Sequence, residues 1–371
     1  MRKDALWLMG FIVLIAACNQ DNTQSQMAAS EDAAKDSVRV LKKDMNHPWE
    51  ILWGRDDHIW TTERGGRISK IDPNTGKVIF SATLPGVQSM GEGGLLGMVQ
   101  HPDFLTNGLF YVVYNYDGKD AYLERMVQLK YENATIKPVK TLVENILSAS
   151  FHDGSRLWIT SEASPKLFMT TGDGSRQESA QNMNSLSGKV LRFNLDGTVP
   201  SDNPFPGSFI WSLGHRNQQG LVVANGIMYA SEHGPTIEDE LNIIEKKRNY
   251  GWPVVNGPCN QMVEKAFCNA HDVKEPIWSS GNGTLAVCGL DYYNNSRIPA
   301  WQNSLLMLTL KDASMRVLKL SADGRSVTGQ QTFFKNRFGR LRDLCISPAG
   351  RVYICSSNGS NSDVLVEISK P

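Results

Sequence analysis

One short pattern recurs six times along this chain of 371 residues: a polar turn, an apolar or aromatic strand, and an exit of small polar residues. The central residues of the six copies are Trp60, Phe110, Phe168, Tyr229, Leu306 and Tyr353. Successive copies lie 47 to 77 residues apart, which suits a four-stranded blade with its loops. The sequence therefore predicts an all-β protein, a six-bladed β-propeller of four-stranded antiparallel blades.

Other architectures and partners fit the chain less well. A pair of β-sandwiches would also give short alternating strands, so this alternative stays open from the pattern alone. The sequence lacks a long amphipathic helical pattern, which argues against an α/β fold. Lys and Arg together number 38, as do Asp and Glu, so net charge gives no support for nucleic acid as a partner.

The first 17 residues have the features of an export signal rather than of a folded element. Two basic residues precede a short apolar run that ends in Ala16, Ala17 and Cys18. This run is too short to cross a bilayer as a helix. Small residues before a cysteine resemble a bacterial lipobox, which predicts a lipoprotein signal peptide over residues 1–17 and a lipid anchor at Cys18. A plain secretory signal with an incidental cysteine is the alternative.

The next segment, residues 18–39, is polar and rich in Gln, Ser, Ala and Asp. We expect a flexible, lipidated tether there, followed by the propeller domain over residues 40–371. The domain is then expected to face the periplasm or the cell exterior. Asn19 after the lipobox cysteine favours an outer-membrane anchor.

Five cysteines lie in the predicted domain. Cys259 and Cys268 are close together in a polar segment, and we predict a disulfide between them. Cys345 and Cys355 flank a turn symmetrically, so a cross-strand bridge and two buried thiols both fit. Cys288 is left over and is expected in the core.

Glycine-rich polar clusters follow the strand patterns, where the loops of a propeller converge on its channel. The densest spans residues 214–253, and loops that need unusual backbone and fixed polar groups are frequent functional sites. Within it, Glu238, Asp239 and Glu240 would suit a hard cation such as calcium, although a solvated acidic turn fits too. His152 lies in another cluster, where a histidine can act as a general base or hold a turn.

Taken in order, these clusters resemble the soluble glucose/sorbosone dehydrogenase family, the pyrroloquinoline quinone (PQQ)-dependent aldose sugar dehydrogenases. The resemblance covers roughly residues 40 to 369. It rests on Gly214-His215-Arg216-Asn217 with Gln219-Gly220, on Glu232-x-Gly234-Pro235, and on Asn249-Tyr250-Gly251-Trp252-Pro253. The family fold is a six-bladed propeller, in agreement with the repeat. The resemblance implies a quinoprotein oxidoreductase that oxidises the C1 hydroxyl of aldose sugars to lactones by hydride transfer to PQQ.

The resemblance also implies which residues meet the cofactor and the sugar. His152 matches the general base for the C1 hydroxyl, and Arg216 matches the arginine that polarises the reactive quinone carbonyl. The remaining residues implied to contact the cofactor are Glu92, Asn217, Lys311, Arg340 and Arg342, the last two through its carboxylates.

Calcium is the second cofactor that the resemblance implies. The backbone carbonyls of Gly234 and Pro235 would hold one ion against the quinone. Glu240 and the carbonyl of Tyr250 would form a second, structural site. The electron acceptor and the oligomeric state are not implied.

Two positions depart from the family pattern. Glu92 replaces a glutamine in the Gly-rich Leu-Leu motif; it would still accept a sugar hydrogen bond but adds negative charge near an anionic cofactor. Phe151 stands where the glucose-oxidising type has an aspartate. Both departures leave the identity of the sugar open.

Two other functions remain as alternatives. A calcium-dependent propeller lactonase would need calcium but no quinone. A non-catalytic sugar-binding propeller would bind a sugar without turnover. The joint presence of His152, Arg216, Lys311, Arg340 and Arg342 argues against the non-catalytic alternative.

Overall fold

The chain folds into six four-stranded antiparallel sheets, as the repeat predicts. The computed structural model describes residues 37–370. In chain order the strands are β1 (Val38–Met45), β2 (Pro48–Trp53), β3 (Ile59–Glu63), β4 (Arg67–Ile71), β5 (Val78–Thr83), β6 (Leu95–Gln100), β7 (Leu109–Asp117), β8 (Tyr122–Glu132), β9 (Thr135–Leu147), β10 (Gly154–Ile159), β11 (Lys166–Thr171), β12 (Lys189–Asn194), β13 (Ile210–Leu213), β14 (Gln218–Ala224), β15 (Ile227–Glu232), β16 (Glu240–Ile243), β17 (Trp278–Ser279), β18 (Val287–Tyr293), β19 (Ser304–Thr309), β20 (Ser314–Leu320), β21 (Val327–Phe333), β22 (Leu341–Ile346), β23 (Val352–Ser356) and β24 (Asp363–Ile368).

The six sheets form a closed ring. The innermost strands of successive blades contact one another in the order β2, β6, β10, β14, β18 and β22, and β22 returns to β2. The first and last strands close the ring, because β1 pairs with β24 and places Val38 opposite Ile368 in the sixth blade. This pairing fixes both ends of the domain in one sheet. The predicted domain start at residue 40 lies within β1.

The recurring sequence pattern corresponds to the second strand of every blade, namely β3, β7, β11, β15, β19 and β23. These strands are apolar on both sides because each blade packs between two others, and the core therefore lies between the blades. Trp60 is an example: its ring is 1% exposed, and the centroids of four aromatic rings lie 5.0 to 6.2 Å from its own. Truncation of such a residue to alanine costs about 3–5 kcal/mol in comparable cores.

Helices are short and lie in the loops. They are α1 (Phe104–Asn107), α2 (Met262–His271) and the 3-10 helices Gln177–Ala180 and Pro299–Trp301. No helix within residues 37–370 is both long and apolar enough to span a membrane. The sequence analysis did not predict α2, which begins with a capping box made by Gln261 and Glu264.

The cysteine predictions are resolved by the structure. Cys259 and Cys268 form the predicted disulfide, and Cys268 belongs to α2. Cys288 is a buried thiol, as predicted. Cys345 and Cys355 are also buried free thiols, because Cys345 lies opposite Tyr353 rather than opposite Cys355. The predicted signal peptide, the predicted anchor at Cys18 and most of the predicted tether lie outside the described residues.

A buried ion-pair network crosses the central channel and links three blades. Nη1 of Arg156, in β10, lies 2.7 Å from the Glu50 carboxylate of β2 and 3.0 Å from the Asp343 carboxylate of β22. Arg156 Nε also donates to the backbone carbonyl of Gln219 at 3.0 Å. A cavity of about 770 Å³ is lined by residues of this network and by the C-terminal ends of inner strands. The network therefore holds the inner strands at fixed separation below the candidate site.

Candidate active site

The predicted site residues gather at the end of the channel where the inner strands begin. Glu92 precedes β6, His152 precedes β10, Arg216 and Asn217 directly precede β14, and Arg340 directly precedes β22. All six inner strands run in the same direction along the channel. The loops that precede them therefore lie on one face of the propeller. The structure thus brings together residues that are up to about 250 positions apart in sequence.

His152 is held by a buried carboxylate that the sequence analysis did not assign. Nδ1 of His152 lies 2.9 Å from Oδ1 of Asp173, which is 1% exposed. The second oxygen, Oδ2, accepts a hydrogen bond from Trp252 Nε1 at 2.8 Å. A carboxylate at Nδ1 places the imidazole proton there and leaves Nε2 as the basic atom. The sequence did contain a signal for this contact, because Asp173 lies two residues after β11, the second strand of the blade that His152 precedes.

The backbone around His152 depends on a neighbouring glycine. His152 has a left-handed backbone with φ of 68°. A Cβ on Gly172, at the end of β11, would lie 1.8 Å from the carbonyl oxygen of His152. Only glycine allows this close approach, so Gly172 sets where the histidine ring enters the site.

Within the described part of the chain, Arg216 has hydrogen-bond partners for its backbone N–H and for Nη1, but not for Nε. Its backbone N–H donates to the Glu232 carboxylate, and Nη1 donates to the carbonyl of His233 at 3.2 Å. Its guanidinium lies 5.3 Å from the ring centroid of Trp252. Its Nε is buried and has no partner among the described residues. A ligand that supplies an acceptor on this face would satisfy that donor.

His233 is a second residue of this face that the sequence analysis passed over. Burial, with the nearby charge of Arg216, lowers the pKa of His233 to about 3, so its ring is neutral at physiological pH. Its Nε2 has no partner among the described residues. The signal was its position inside the Glu232-x-Gly234-Pro235 motif.

Asn217 and Lys311 have different surroundings. Asn217 is 2% exposed, and its Oδ1 accepts a hydrogen bond from the backbone of Gly154 at 3.1 Å. Its side chain thus ties the start of β10 to the start of β14. Lys311 is exposed and follows β19, whose Thr309 pairs with the first residue of β18 at the same end of the channel. Lys311 therefore lies on the same face of the propeller as the other predicted site residues.

Glu92 bonds to the two arginines that the resemblance assigned to the carboxylates of the cofactor. Its carboxylate accepts from Arg342 Nη2 and from Arg340 Nη2, the latter at 3.2 Å. A third arginine, Arg64, which the sequence analysis missed, lies 3.7 Å from the same carboxylate. We call Arg64, Arg340 and Arg342 the Glu92 arginine cluster. Burial raises the pKa of Glu92, but the charges of Arg342, Arg64 and Arg340 outweigh this and lower it to about 2.

The four predicted calcium ligands line one small cavity. Gly234, Pro235, Glu240 and Tyr250 surround a void of about 10 Å³, whose lining also includes Glu232 and Glu238. The sequence analysis had divided these four residues between two ions. The void holds about one water-sized particle.

The chemistry of the cavity fits a small hard cation. Oε2 of Glu238 is buried without a partner among the described residues. Burial, and then the adjacent Glu232 carboxylate, raise the pKa of Glu240 to about 8, and a bound cation would offset the repulsion between these two carboxylates. Within residues 37–370, no three His, Cys, Asp or Glu side chains could hold a metal between them, so backbone carbonyls would have to complete any site.

Comparisons with known proteins find similar sugar dehydrogenases. Residues 45–366 match the family described as Glucose / Sorbosone dehydrogenase. Aldose sugar dehydrogenase YliI of Escherichia coli (strain K12) is 30% identical over 343 residues, which cover 87% of this chain and 91% of the relative. Quinoprotein glucose dehydrogenase B of Acinetobacter calcoaceticus is 35% identical over 439 residues, with 94% and 91% covered. The PQQ-bound structure of aldose sugar dehydrogenase from Streptomyces coelicolor is 27% identical with a TM-score of 0.76, and 89% of this chain and 97% of that chain are covered.

Proposed function

This chain belongs to the glucose/sorbosone dehydrogenase family, and we propose that it is a PQQ-dependent dehydrogenase that oxidises the C1 hydroxyl of an aldose sugar to a lactone. The observation that carries this proposal is the His152–Asp173 pair beside Arg216, at the same face as the Glu92 arginine cluster. A base and fixed positive charges on one face suit the removal of a proton and the stabilisation of an anion.

The proton-transfer part of the proposal rests on His152. Asp173 keeps the proton of the neutral ring on Nδ1, so Nε2 is available to accept the proton of the sugar C1 hydroxyl. As the ring becomes positively charged, the adjacent carboxylate stabilises it. The C1 hydrogen leaves as a hydride, for which PQQ supplies the two-electron acceptor when it is bound.

The arginines fit a cofactor of this chemistry. PQQ is a tricarboxylate, and the face carries Arg64, Arg340 and Arg342 around the Glu92 carboxylate and, separately, Arg216 bound to the His233 carbonyl. The buried Nε of Arg216 lacks an acceptor, and we assign Arg216 to the reactive quinone oxygen. A fixed guanidinium there would stabilise growing negative charge without reorganisation. Asn217 and Lys311 remain proposed cofactor neighbours.

Calcium is proposed as the second cofactor. Gly234, Pro235, Glu240 and Tyr250 would hold it, since carboxylates and carbonyls are the ligands that calcium prefers. Asp239 supports this arrangement because its Oδ1 accepts the backbone N–H of Gly234 at 2.9 Å. A Cβ on Gly234 would lie 1.9 Å from the Ile237 carbonyl, so the turn requires glycine.

The sugar binds beside an apolar side chain in this proposal. Phe151 is 49% exposed, and its ring lies edge-on to His152 with centroids 5.0 Å apart. An aldose is the proposed substrate class, and the acceptor that reoxidises the cofactor is unidentified.

A lipid anchor at Cys18, on the periplasmic or outer surface of the outer membrane, is part of the same proposal. Release of a Cys18→Ser variant from the membrane fraction would support it, and retention would contradict it.

Reconstitution tests the proposed function directly. Purified protein is loaded with PQQ and CaCl₂, and dye-coupled oxidation is measured over a panel of aldoses, together with the absorbance of protein-bound quinone. We expect bound quinone and oxidation of at least one aldose. Absence of both would overturn the proposal. EDTA-sensitive hydrolysis of lactones by quinone-free protein would instead favour the lactonase, and sugar binding without turnover would favour the non-catalytic alternative.

A further inference from the structure

The carboxylate of Glu92 is surrounded by the arginines of the Glu92 arginine cluster. Its carboxylate contacts Arg340 and Arg342 and lies 3.7 Å from Arg64. These residues come from three separate parts of the chain, so their convergence on a single carboxylate is a property of the fold. A shared carboxylate is the arrangement expected where several guanidinium groups would otherwise repel one another.

The arginine at the centre of this site is buried, and both of its terminal nitrogens have partners. Arg342 is 0% exposed, its Nη1 donates to the side-chain oxygen of Gln219 at 2.5 Å, and its Nη2 donates to Glu92. Gln219 is in turn fixed through its backbone carbonyl to Arg156 of the channel network. Both terminal nitrogens of Arg342 are therefore in use before a ligand arrives.

Glu92, in contrast, is able to move. Its side chain is 37% exposed, and it lies in the loop before β6. The loop backbone is held separately, because the N–H of Glu92 donates to the Ser150 carbonyl at 2.7 Å. The carboxylate can rotate toward solvent while the loop stays in place.

We propose that Glu92 is a built-in counter-anion of the Glu92 arginine cluster, which the carboxylates of an anionic cofactor must displace, and that it thereby weakens cofactor binding. This inference rests on the proposed function, since it takes the cofactor to be the tricarboxylate PQQ. Glu92 then has two effects of opposite sign. It stabilises the cofactor-free protein by offsetting part of the positive charge of three arginines, and it competes for them when the cofactor binds.

The test compares cofactor affinity and cofactor-free stability in Glu92→Gln. PQQ is titrated into protein in CaCl₂ and followed by quinone absorbance, and thermal unfolding is measured without cofactor. We expect the Kd for PQQ to fall by about tenfold, since one nearby negative charge is removed. We also expect a lower Tm for the cofactor-free variant. An unchanged or weaker affinity would overturn the inference and would indicate that Glu92 only positions the arginines.

Two further variants make the result specific. Glu92→Asp keeps the charge and should retain an affinity close to that of the wild type. Glu144→Gln removes a carboxylate from a surface pair with Arg125, where the charges are 3.6 Å apart, and should change neither quantity. If wild type and Glu144→Gln both fail to bind PQQ, the proposed function itself fails. If they bind and Glu92→Gln matches them, only the counter-anion role is lost.

Discussion

Nδ1 of His152 lies 2.9 Å from Oδ1 of Asp173, and Trp252 of the next blade holds the other oxygen of the same carboxylate. The proposed base is thus oriented by two blades at once. A small shift between these blades would move the imidazole relative to a bound sugar. Catalytic geometry of this kind is sensitive to displacements of about 1 Å.

Replacement of Asp173 by Asn should lower turnover strongly. An amide keeps the shape of the side chain but no longer fixes the imidazole proton on Nδ1 or stabilises the charged ring. We expect kcat to fall on the order of a hundredfold or more, with PQQ affinity retained. Steady-state kinetics across pH would check this. The matched control is Asp196→Asn in an exposed turn, and an equal loss of kcat in both variants would contradict the role of Asp173.

His152→Ala should abolish turnover while the protein still binds PQQ. The reason is that the variant loses the proton acceptor but keeps the arginines. Quinone absorbance of the reconstituted variant and dye-coupled activity are the two measurements. His271→Ala, at the end of α2, serves as the control. Loss of quinone binding in His152→Ala would remove the assigned role as base.

Calcium should stabilise the protein through the cavity lined by Glu240. A cation there would offset the repulsion between Glu240 and Glu232. At a calcium concentration of 100 times the Kd, the gain in the free energy of unfolding is about 2.7 kcal/mol. The Tm of PQQ-free protein should therefore rise with CaCl₂ and fall back with EDTA. Glu240→Gln should weaken this response and Glu144→Gln should not; an identical response in both would place calcium elsewhere.

The effect of Glu92 on stability should depend on pH in one direction only. Its pKa is lowered from 4.5 to about 2, so its stabilising contribution is fully present above about pH 4.5 and is lost as the pH falls toward 2. The difference in free energy of unfolding between wild type and Glu92→Gln, without cofactor, should be constant between pH 6 and 8. It should shrink only as the pH falls from about 4.5 toward 2. Denaturant unfolding at several pH values measures it, and a difference that grows on acidification would contradict the ion pairs.

Much of the architecture follows from the sequence alone. The six copies of one apolar strand pattern predicted the propeller, because a strand buried between two blades must be apolar on both faces. The close spacing of Cys259 and Cys268 predicted their disulfide for a similarly local reason. The motifs around Arg216 and Gly234 were sufficient to predict which loops carry the candidate site.

The contacts within the site were decided only by the tertiary structure. Asp173 reaches His152 because Gly172 lets two loops of one blade approach closely. Arg64 meets Glu92 because the loop after β3, the second strand of its blade, and the loop before β6, the inner strand of the next blade, lie at the same end of the channel. Spacing along a chain predicts strands and turns, since these depend on neighbouring residues. The direction of a loop side chain depends instead on contacts between residues that are distant in sequence, and it is fixed only when the ring of blades closes.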